Sequence, residues 1–235
     1  MQKPSIVSQE QWTAARKQLL EKEKEFTRLR DELSEQRRNL PWVRIDKSYV
    51  FDGPSGKETL ADLFAGRRQL IVQHLMFDPS WDAACKSCSF WADEFDAMTV
   101  HLAARDVTLV GVSIAPLAKL EAFARRMGWK FKWVSSSGND FNRDFHVTVT
   151  AEDRARGEFY YNFRMIKTVG SEQPGISVFY RDDDGSVYHT YSCYSRGLDM
   201  MNATYQYLDL TPKGRDEDGL PFPMQWVRLH DAYAS

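Results

Sequence analysis

The chain lacks the features that mark several large protein classes. Its 235 residues include only three cysteines, too few for a disulfide framework in a chain of this size. No apolar segment approaches the length of a membrane-spanning helix, and residues 1–4 lead into a charged segment rather than the apolar core of a signal peptide. We therefore expect a cytoplasmic protein that has no membrane partner.

An excess of charge of one sign is also missing. The 31 Lys and Arg residues nearly balance the 33 Asp and Glu residues, and the sequence pI is about 6.2. Proteins that bind nucleic acid usually carry a basic surface, so we expect no nucleic-acid partner. A hydrophobic content of 43% and this length predict one main domain with extensions.

Two closely spaced cysteines, Cys85 and Cys88, are the strongest functional signal. The apolar run 70–77 predicts a buried strand, 78–84 a loop, and the spacing of apolar residues after Cys88 a helix. The cysteines thus fall at a helix N-terminus, where unpaired N–H groups and the helix dipole stabilise a thiolate. We expect Cys85 to attack a disulfide and Cys88, one turn later, to resolve the mixed disulfide.

A metal site is the main alternative for these cysteines. Cys193 follows His189 by four residues, so Cys85, Cys88, His189 and Cys193 form a possible zinc set if their segments meet. One C-x-x-C with unpatterned partners is nevertheless a weak zinc signal, and we predict no metal and no other cofactor. A non-catalytic metal-binding or protein-interaction module stays open as the second interpretation.

The rest of the chain divides into three parts. Residues 1–40 predict a helical arm, 41–210 an α/β domain with an exposed insertion near 150–173, and 211–235 a C-terminal tail. Ser8 and Gln11 have the spacing of a capping box at the start of the arm. An apolar stripe along this helix favours docking on its own domain, with homodimerisation as a close alternative.

Within the α/β domain, the order of strands and helices predicts the pairing of the strands. The apolar runs 70–77 and 107–114 are each followed by a helical pattern, which indicates crossover connections and mainly parallel central pairing. Runs 176–180 and 187–191 flank an Asp-rich turn and predict a hairpin, and 198–208 predicts a closing helix. Because successive side chains of a strand point to opposite faces, we expect positions 189, 191 and 193 to share one face.

This order resembles the thioredoxin fold, and particular phrases narrow the resemblance to one bacterial family, domain of unknown function 899. The phrases are HLMF (74–77), CKSCSFWAD (85–93), RMGW (126–129), DFN (140–142), HTYS (189–192) and GRDE (214–217). The resemblance covers nearly the whole chain. It implies an α/β thioredoxin-like fold, in which helices flank a central mixed sheet, and a dithiol–disulfide oxidoreductase acting on a protein or small-molecule disulfide of unknown identity.

Two departures from the wider superfamily bear on the site. Where a thioredoxin places a cis-proline beside its disulfide, this chain has Ser177 at or near the position, and we expect its hydroxyl to face the dithiol. The peroxiredoxin pattern Pro-x-x-x-Thr-x-x-Cys is also broken, because Asp78 and Asp82 stand at the Pro and Thr positions. Peroxide activation by that arrangement is therefore not expected.

Three further groups have candidate roles. Trp81, in the loop before Cys85, is the best candidate for an apolar docking groove that binds substrate. His74 lies within an apolar strand and is expected to be a hydrogen-bonded core histidine rather than a base. The charged phrase at 214–217 is expected to hold an ion pair that pins the tail.

Overall fold

The computed structural model describes residues 4–233, which divide into two compact units, one up to Pro41 and the other from Trp42 onward. The first unit is the helix α1, Gln9–Arg38. It begins with the predicted capping box, in which Ser8 Oγ accepts from the Gln11 N–H at 3.2 Å and Gln11 Oε1 from the Ser8 N–H at 3.1 Å. Its apolar stripe is exposed, and both docking on its own domain and dimerisation through this stripe stay predictions.

The second unit is built from strands and helices that alternate over most of its length. The strands are β1 Val43–Arg44, β2 Val50–Gly53, β3 Gly56–Thr59, β4 Gln69–His74, β5 Val107–Ser113, β6 Trp133–Ser135, β7 Glu158–Tyr161, β8 Arg164–Lys167, β9 Gly175–Arg181 and β10 Val187–Tyr194. The helices are α2 Lys86–Ala92, α3 Phe95–Ala103, α4 Leu117–Met127, α5 Phe141–Asp144, α6 Ala151–Arg156 and α7 Ala203–Leu208. Short 3-10 helices lie at Asp62–Phe64, Ser195–Met201 and His230–Ala232.

The main sheet is mixed and has the strand order β1-β10-β9-β4-β5-β6-β2-β3. β4 and β5 pair in parallel, as predicted, and β6 adds a third parallel strand. The helices α2, α3 and α4 between these strands return the chain so that each strand runs in the same direction. The remaining pairs are antiparallel, so parallel pairing is confined to the centre. The inner order β5-β4-β9-β10, with helices after β4, β5 and β10, confirms the predicted thioredoxin-like architecture.

Both faces of this sheet are buried, which explains why the strands have continuous apolar runs rather than alternation. On β5, Val110 and Val112 pack into one core cluster with Phe141 and Phe179. Leu109, which points to the other face, packs into a second cluster with side chains of α2, α3 and α4. Burying each such side chain contributes about 1.5–3 kcal/mol. β4 contributes to both clusters, so it is packed on both faces of the sheet.

Several predicted elements differ from those observed. The segment near 150–173, predicted as an irregular insertion, contains α6 and the β7-β8 hairpin, whose Phe159 and Tyr161 pack on Val147 and Val149 in a small core of their own. The closing helix is broken, because the Asn202 side chain accepts from the Tyr205 N–H at 2.8 Å and starts α7 anew.

The tail, residues 211–233, has little regular structure but packs on the rest of the second unit. Val227 is fully buried, and the Arg126 guanidinium forms two hydrogen bonds to the Asp231 carboxylate at 2.7 and 3.0 Å. Lys86 Nζ donates to the Gln225 carbonyl at 2.8 Å. These contacts bring the tail beside α2. Over residues 4–233, no helix has both the length and the apolar character needed to cross a membrane.

Candidate functional site

Cys85 occupies the N-cap position of α2, immediately after the loop that follows β4. Its N–H donates to the Met76 carbonyl at 3.0 Å, which closes that loop. Its own carbonyl accepts from the Ser89 N–H at 2.9 Å and from Ser89 Oγ at 3.0 Å, so the first turn of the helix is firmly closed. The Cys85 side chain is half-buried and lies where the N–H groups of that turn point.

Cys88 lies one turn later and is buried, with 4% of its surface exposed. The Met76 N–H donates to Cys88 Sγ at 3.5 Å, so the two backbone groups of one residue hold both cysteines. Both thiols are free, and the structure therefore represents the reduced state of the pair.

The two thiols have opposite shifts in acidity. The pKa of Cys85 is lowered to about 6, chiefly by a hydrogen bond with the Cys88 thiol and also by the N–H groups of Cys88 and Ser87, against the opposing effect of burial. The pKa of Cys88 is raised, because its proton is engaged with Cys85 and because it is buried. At neutral pH the pair is a Cys85 thiolate that accepts a hydrogen bond from the Cys88 thiol.

A cavity of about 220 Å³ lies beside the pair. Ser87, Cys88 and Trp91 of α2 form one wall, and the indole N–H of Trp91 donates to the Leu198 carbonyl at 3.1 Å across the cavity lining. Pro174, at the entrance of β9, contributes to another part of the wall.

The tail forms the remaining side of the cavity, and Glu217 holds it in place. The Glu217 carboxylate accepts from Tyr205 Oη at 2.5 Å, Trp226 Nε1 at 2.7 Å and the Met224 N–H at 2.9 Å. Arg215 contacts both Asp199 and Asp209 at 2.7 Å and stacks on the Tyr205 ring. The predicted ion pair at 214–217 is thus confirmed, and it shapes the site.

Ser177 is not where the sequence predicted it. It is fully buried in β9, opposite Val72, and its hydroxyl lies 2.9 Å from both His74 Nε2 and Ser192 Oγ. The Ser177 hydroxyl therefore bonds to buried side chains of neighbouring strands rather than to the dithiol. Residues 4–233 contain no cis peptide bond. Pro174, three residues earlier and just before β9, lines the cavity beside Cys88.

The predicted core role of His74 is confirmed. The ring is 1% exposed and stacks near Phe141 and Phe145. Its pKa is lowered to about 3, first by burial and then by the neighbouring charge of His189. His74 is neutral at physiological pH and is separated from solvent.

Trp81 lies in the loop before Cys85 and is half-buried in the same apolar cluster as Cys85. The backbone N–H of Trp81 donates to the Asp78 carbonyl at 3.0 Å, and the Trp81 carbonyl accepts from Lys119 Nζ. In the part of the chain that the structure describes, it does not line the cavity. A docking role for Trp81 stays a prediction.

The candidate zinc ligands do not come together. A β-bulge between His189 and Tyr191 shifts the register of β10, so the expected alternation from 189 to 193 is broken. His189 bonds to Ser192 Oγ at 2.7 Å and packs on Phe145, whereas Cys193 packs with Ile176 and Leu198. Within residues 4–233 there is no group of three or more potential metal ligands.

Glu172 is a buried carboxyl that the sequence did not predict, because it falls in a stretch without periodicity. It is 4% exposed, and its carboxyl oxygens contact Thr148 Oγ1 at 2.6 Å and Asn142 Nδ2 at 3.4 Å. Burial raises its pKa to about 8. A negative charge on Glu172 in turn raises the pKa of Cys88, which places this carboxyl within electrostatic reach of the dithiol.

Comparison with known proteins identifies one family and several structures. The family described as "Bacterial protein of unknown function (DUF899)" matches residues 1–233. No curated protein matches the chain.

Similar solved structures include peroxiredoxin Q from Xanthomonas campestris, with 13% identity over 67% of this chain and 89% of that one and a TM-score of 0.44. Peroxidoxin BcpB from Mycobacterium tuberculosis has 14% identity over 72% and 97%, with a TM-score of 0.42. The mitochondrial 2-Cys peroxiredoxin from Plasmodium falciparum has 12% identity over 72% and 92%, with a TM-score of 0.41.

The acidity of Cys85 leads to a first prediction. Alkylation by iodoacetamide, followed by peptide mass spectrometry over a pH series, should show half-maximal reactivity of Cys85 near its pKa of about 6. Cys88 should react only at much higher pH, and buried Cys193 provides an internal control. Preferential labelling of Cys88 would reverse the roles assigned to the two thiols.

The buried carboxyl leads to a second prediction. The folded-state pKa of Glu172 lies above its ordinary value of 4.5, so the folded protein holds a proton that the unfolded chain releases between pH 4.5 and about 8. Wild-type stability should therefore fall as the pH rises through that window. Glu172→Gln keeps a neutral hydrogen-bonding side chain and cannot ionise, so its free energy of unfolding should fall less.

Urea denaturation at several pH values measures this difference. Glu158→Gln, at an exposed position on β7, serves as the matched control and should follow the wild-type pH dependence. Parallel stability profiles for wild type and Glu172→Gln would show that Glu172 does not retain its proton in the folded state.

Proposed function

The chain belongs to the bacterial family DUF899, and we propose that its function is thiol–disulfide exchange at Cys85 and Cys88. The observation that carries the proposal is the asymmetric pair at the start of α2, in which a buried thiol donates to a half-exposed sulfur whose pKa is about 6. A low pKa and partial exposure distinguish a reactive cysteine from a structural one.

The proposed reaction uses both thiols and no cofactor. The Cys85 thiolate attacks one sulfur of a substrate disulfide, forms a mixed disulfide and releases the other sulfur as a thiolate, which takes up a proton from solvent. Cys88 then loses its proton and attacks Cys85 Sγ, which releases the second substrate thiol. The substrate gains two electrons, and the protein is left with a disulfide between Cys85 and Cys88.

The Met76 backbone supports this sequence of steps. Its carbonyl and N–H hold Cys85 and Cys88 at the end of β4, so the resolving thiol stays beside the sulfur that it must attack. A reducing compartment such as the cytoplasm would return the pair to its dithiol form. The substrate is a disulfide of a protein or a small molecule.

The mechanism predicts different trapping by the two single-cysteine variants. Cys88→Ser should accumulate a mixed disulfide on Cys85 when the protein is incubated with a model disulfide such as hydroxyethyl disulfide, because the resolving thiol is missing. Cys85→Ser should accumulate far less, since the pKa of Cys88 is raised. Intact-mass spectrometry with and without reductant measures both adducts.

Cys193→Ser is the matched control, because Cys193 is buried and packs with Ile176 and Leu198. It should behave as wild type, with turnover and without a stable adduct. If Cys88→Ser forms no adduct, or if wild type and Cys85→Ser react equally, the chain is instead a binding module that retains the fold.

A further inference from the structure

The cavity beside the dithiol approaches only one of the two cysteines. Ser87 and Cys88 line it, whereas Cys85 is not part of the wall formed by the described residues. Cys88 is otherwise buried by the protein core, where it packs with Leu75, Phe77 and Ala92. A small molecule would therefore reach Cys88 Sγ through this cavity.

The size of the cavity limits what can occupy it. Its volume of about 220 Å³ lies below the roughly 300–1,000 Å³ of pockets for drug-sized ligands. The tail forms one side through Glu217 and Met224, and the bond from Lys86 to the Gln225 carbonyl ties that side to α2. A small metabolite fits this space, but a folded protein loop does not.

Two polar side chains line the cavity without a side-chain bond to the described residues. Gln73 is 3% exposed, and its carboxamide faces the cavity with no hydrogen bond to residues 4–233. Arg196 is exposed and forms no ion pair within the same residues; its charge acts on Asp199, which Arg215 already binds, and Glu217 is held by Tyr205 and Trp226. A buried amide and a guanidinium outside any ion pair can together bind a carboxylate.

We propose that this cavity binds a low-molecular-weight thiol bearing a carboxylate, which reduces the disulfide form of the protein by attacking Sγ of Cys88. The proposal rests on the function proposed above, because it requires the Cys85 to Cys88 disulfide. It identifies the chemical class of the reductant and the sulfur that the reductant attacks.

The chemistry of the pair favours attack at Cys88. Of the two sulfurs, Cys85 is the better leaving group, because its lower pKa stabilises the departing thiolate. The reductant thiolate forms a bond to Cys88 Sγ, the disulfide between Cys88 and Cys85 breaks, and Cys85 leaves as a thiolate. A second reductant thiolate then attacks the sulfur of the bound reductant and releases Cys88, which takes up a proton. Two thiols are oxidised to one disulfide, and the protein disulfide is reduced.

The test uses the full-length protein oxidised to its disulfide form. It is mixed with 3-mercaptopropionate, which carries the carboxylate, or with 2-mercaptoethanol, which does not, and rates are expressed per thiolate. Samples quenched with acid at early times are mapped by mass spectrometry. We expect the mixed disulfide on Cys88 and a faster reaction with the anionic thiol despite its negative charge.

Charge variants test recognition of the carboxylate. Arg196→Gln should lower the ratio of the 3-mercaptopropionate rate to the 2-mercaptoethanol rate about fivefold, the effect of one exposed charge pair. Gln73→Leu should lower the same ratio, since it removes the buried amide. Arg125→Gln, an exposed position on α4 outside the cavity, makes the same change of charge and should keep the wild-type ratio.

The possible failures can be told apart. An adduct found on Cys85 only, or an unchanged ratio in Arg196→Gln and Gln73→Leu, overturns the cavity proposal and leaves thiol–disulfide exchange intact. If no disulfide forms between Cys85 and Cys88 under oxidising conditions, both this inference and the proposed function are overturned.

Discussion

The backbone of Met76 is the constraint on which the site depends. Its carbonyl accepts from the Cys85 N–H, and its N–H donates to Cys88 Sγ, so one residue, two positions beyond the end of β4, holds both cysteines. β4 in turn lies at the centre of the sheet, paired with β5 on one side and β9 on the other. The rigidity of the paired central strand is thereby transferred to the reactive loop.

The opposite acidities of the two thiols follow from this placement. The Cys85 thiolate accepts a hydrogen bond from the Cys88 thiol, and because Cys85 begins α2, the free N–H groups of the first helical turn stabilise its negative charge further. Cys88, which is one turn further into the core, is desolvated and keeps its proton. The tail adds a third element, since Glu217 and Arg215 hold it against α2 and leave a small cavity at Cys88. The fold thus places a half-buried, acidic thiol beside a fully sheltered one.

The features that sequence predicted are those encoded in local patterns. The capping box at Ser8, the hairpin of β9 and β10, and the strand and helix around Cys85 all depend on short spacings, and each is present. Two expectations were not met: the regular alternation from 189 to 193, and the placement of the Ser177 hydroxyl at the dithiol. A bulge after His189 changes which residues share a face, and the burial of Ser177 depends on hydrogen bonds to His74 and Ser192. Glu172 could not be predicted, because its environment is made by residues distant in sequence.

An equilibrium redox titration tests the central claim most directly. The purified protein is equilibrated in thiol–disulfide buffers of varied potential and then quenched, and each cysteine is assigned as free or bonded by mass spectrometry. We predict one reversible two-electron transition in which Cys85 and Cys88 form a disulfide together while Cys193 stays reduced. Absence of a disulfide between Cys85 and Cys88 at any potential, or a disulfide that includes Cys193, would contradict the account.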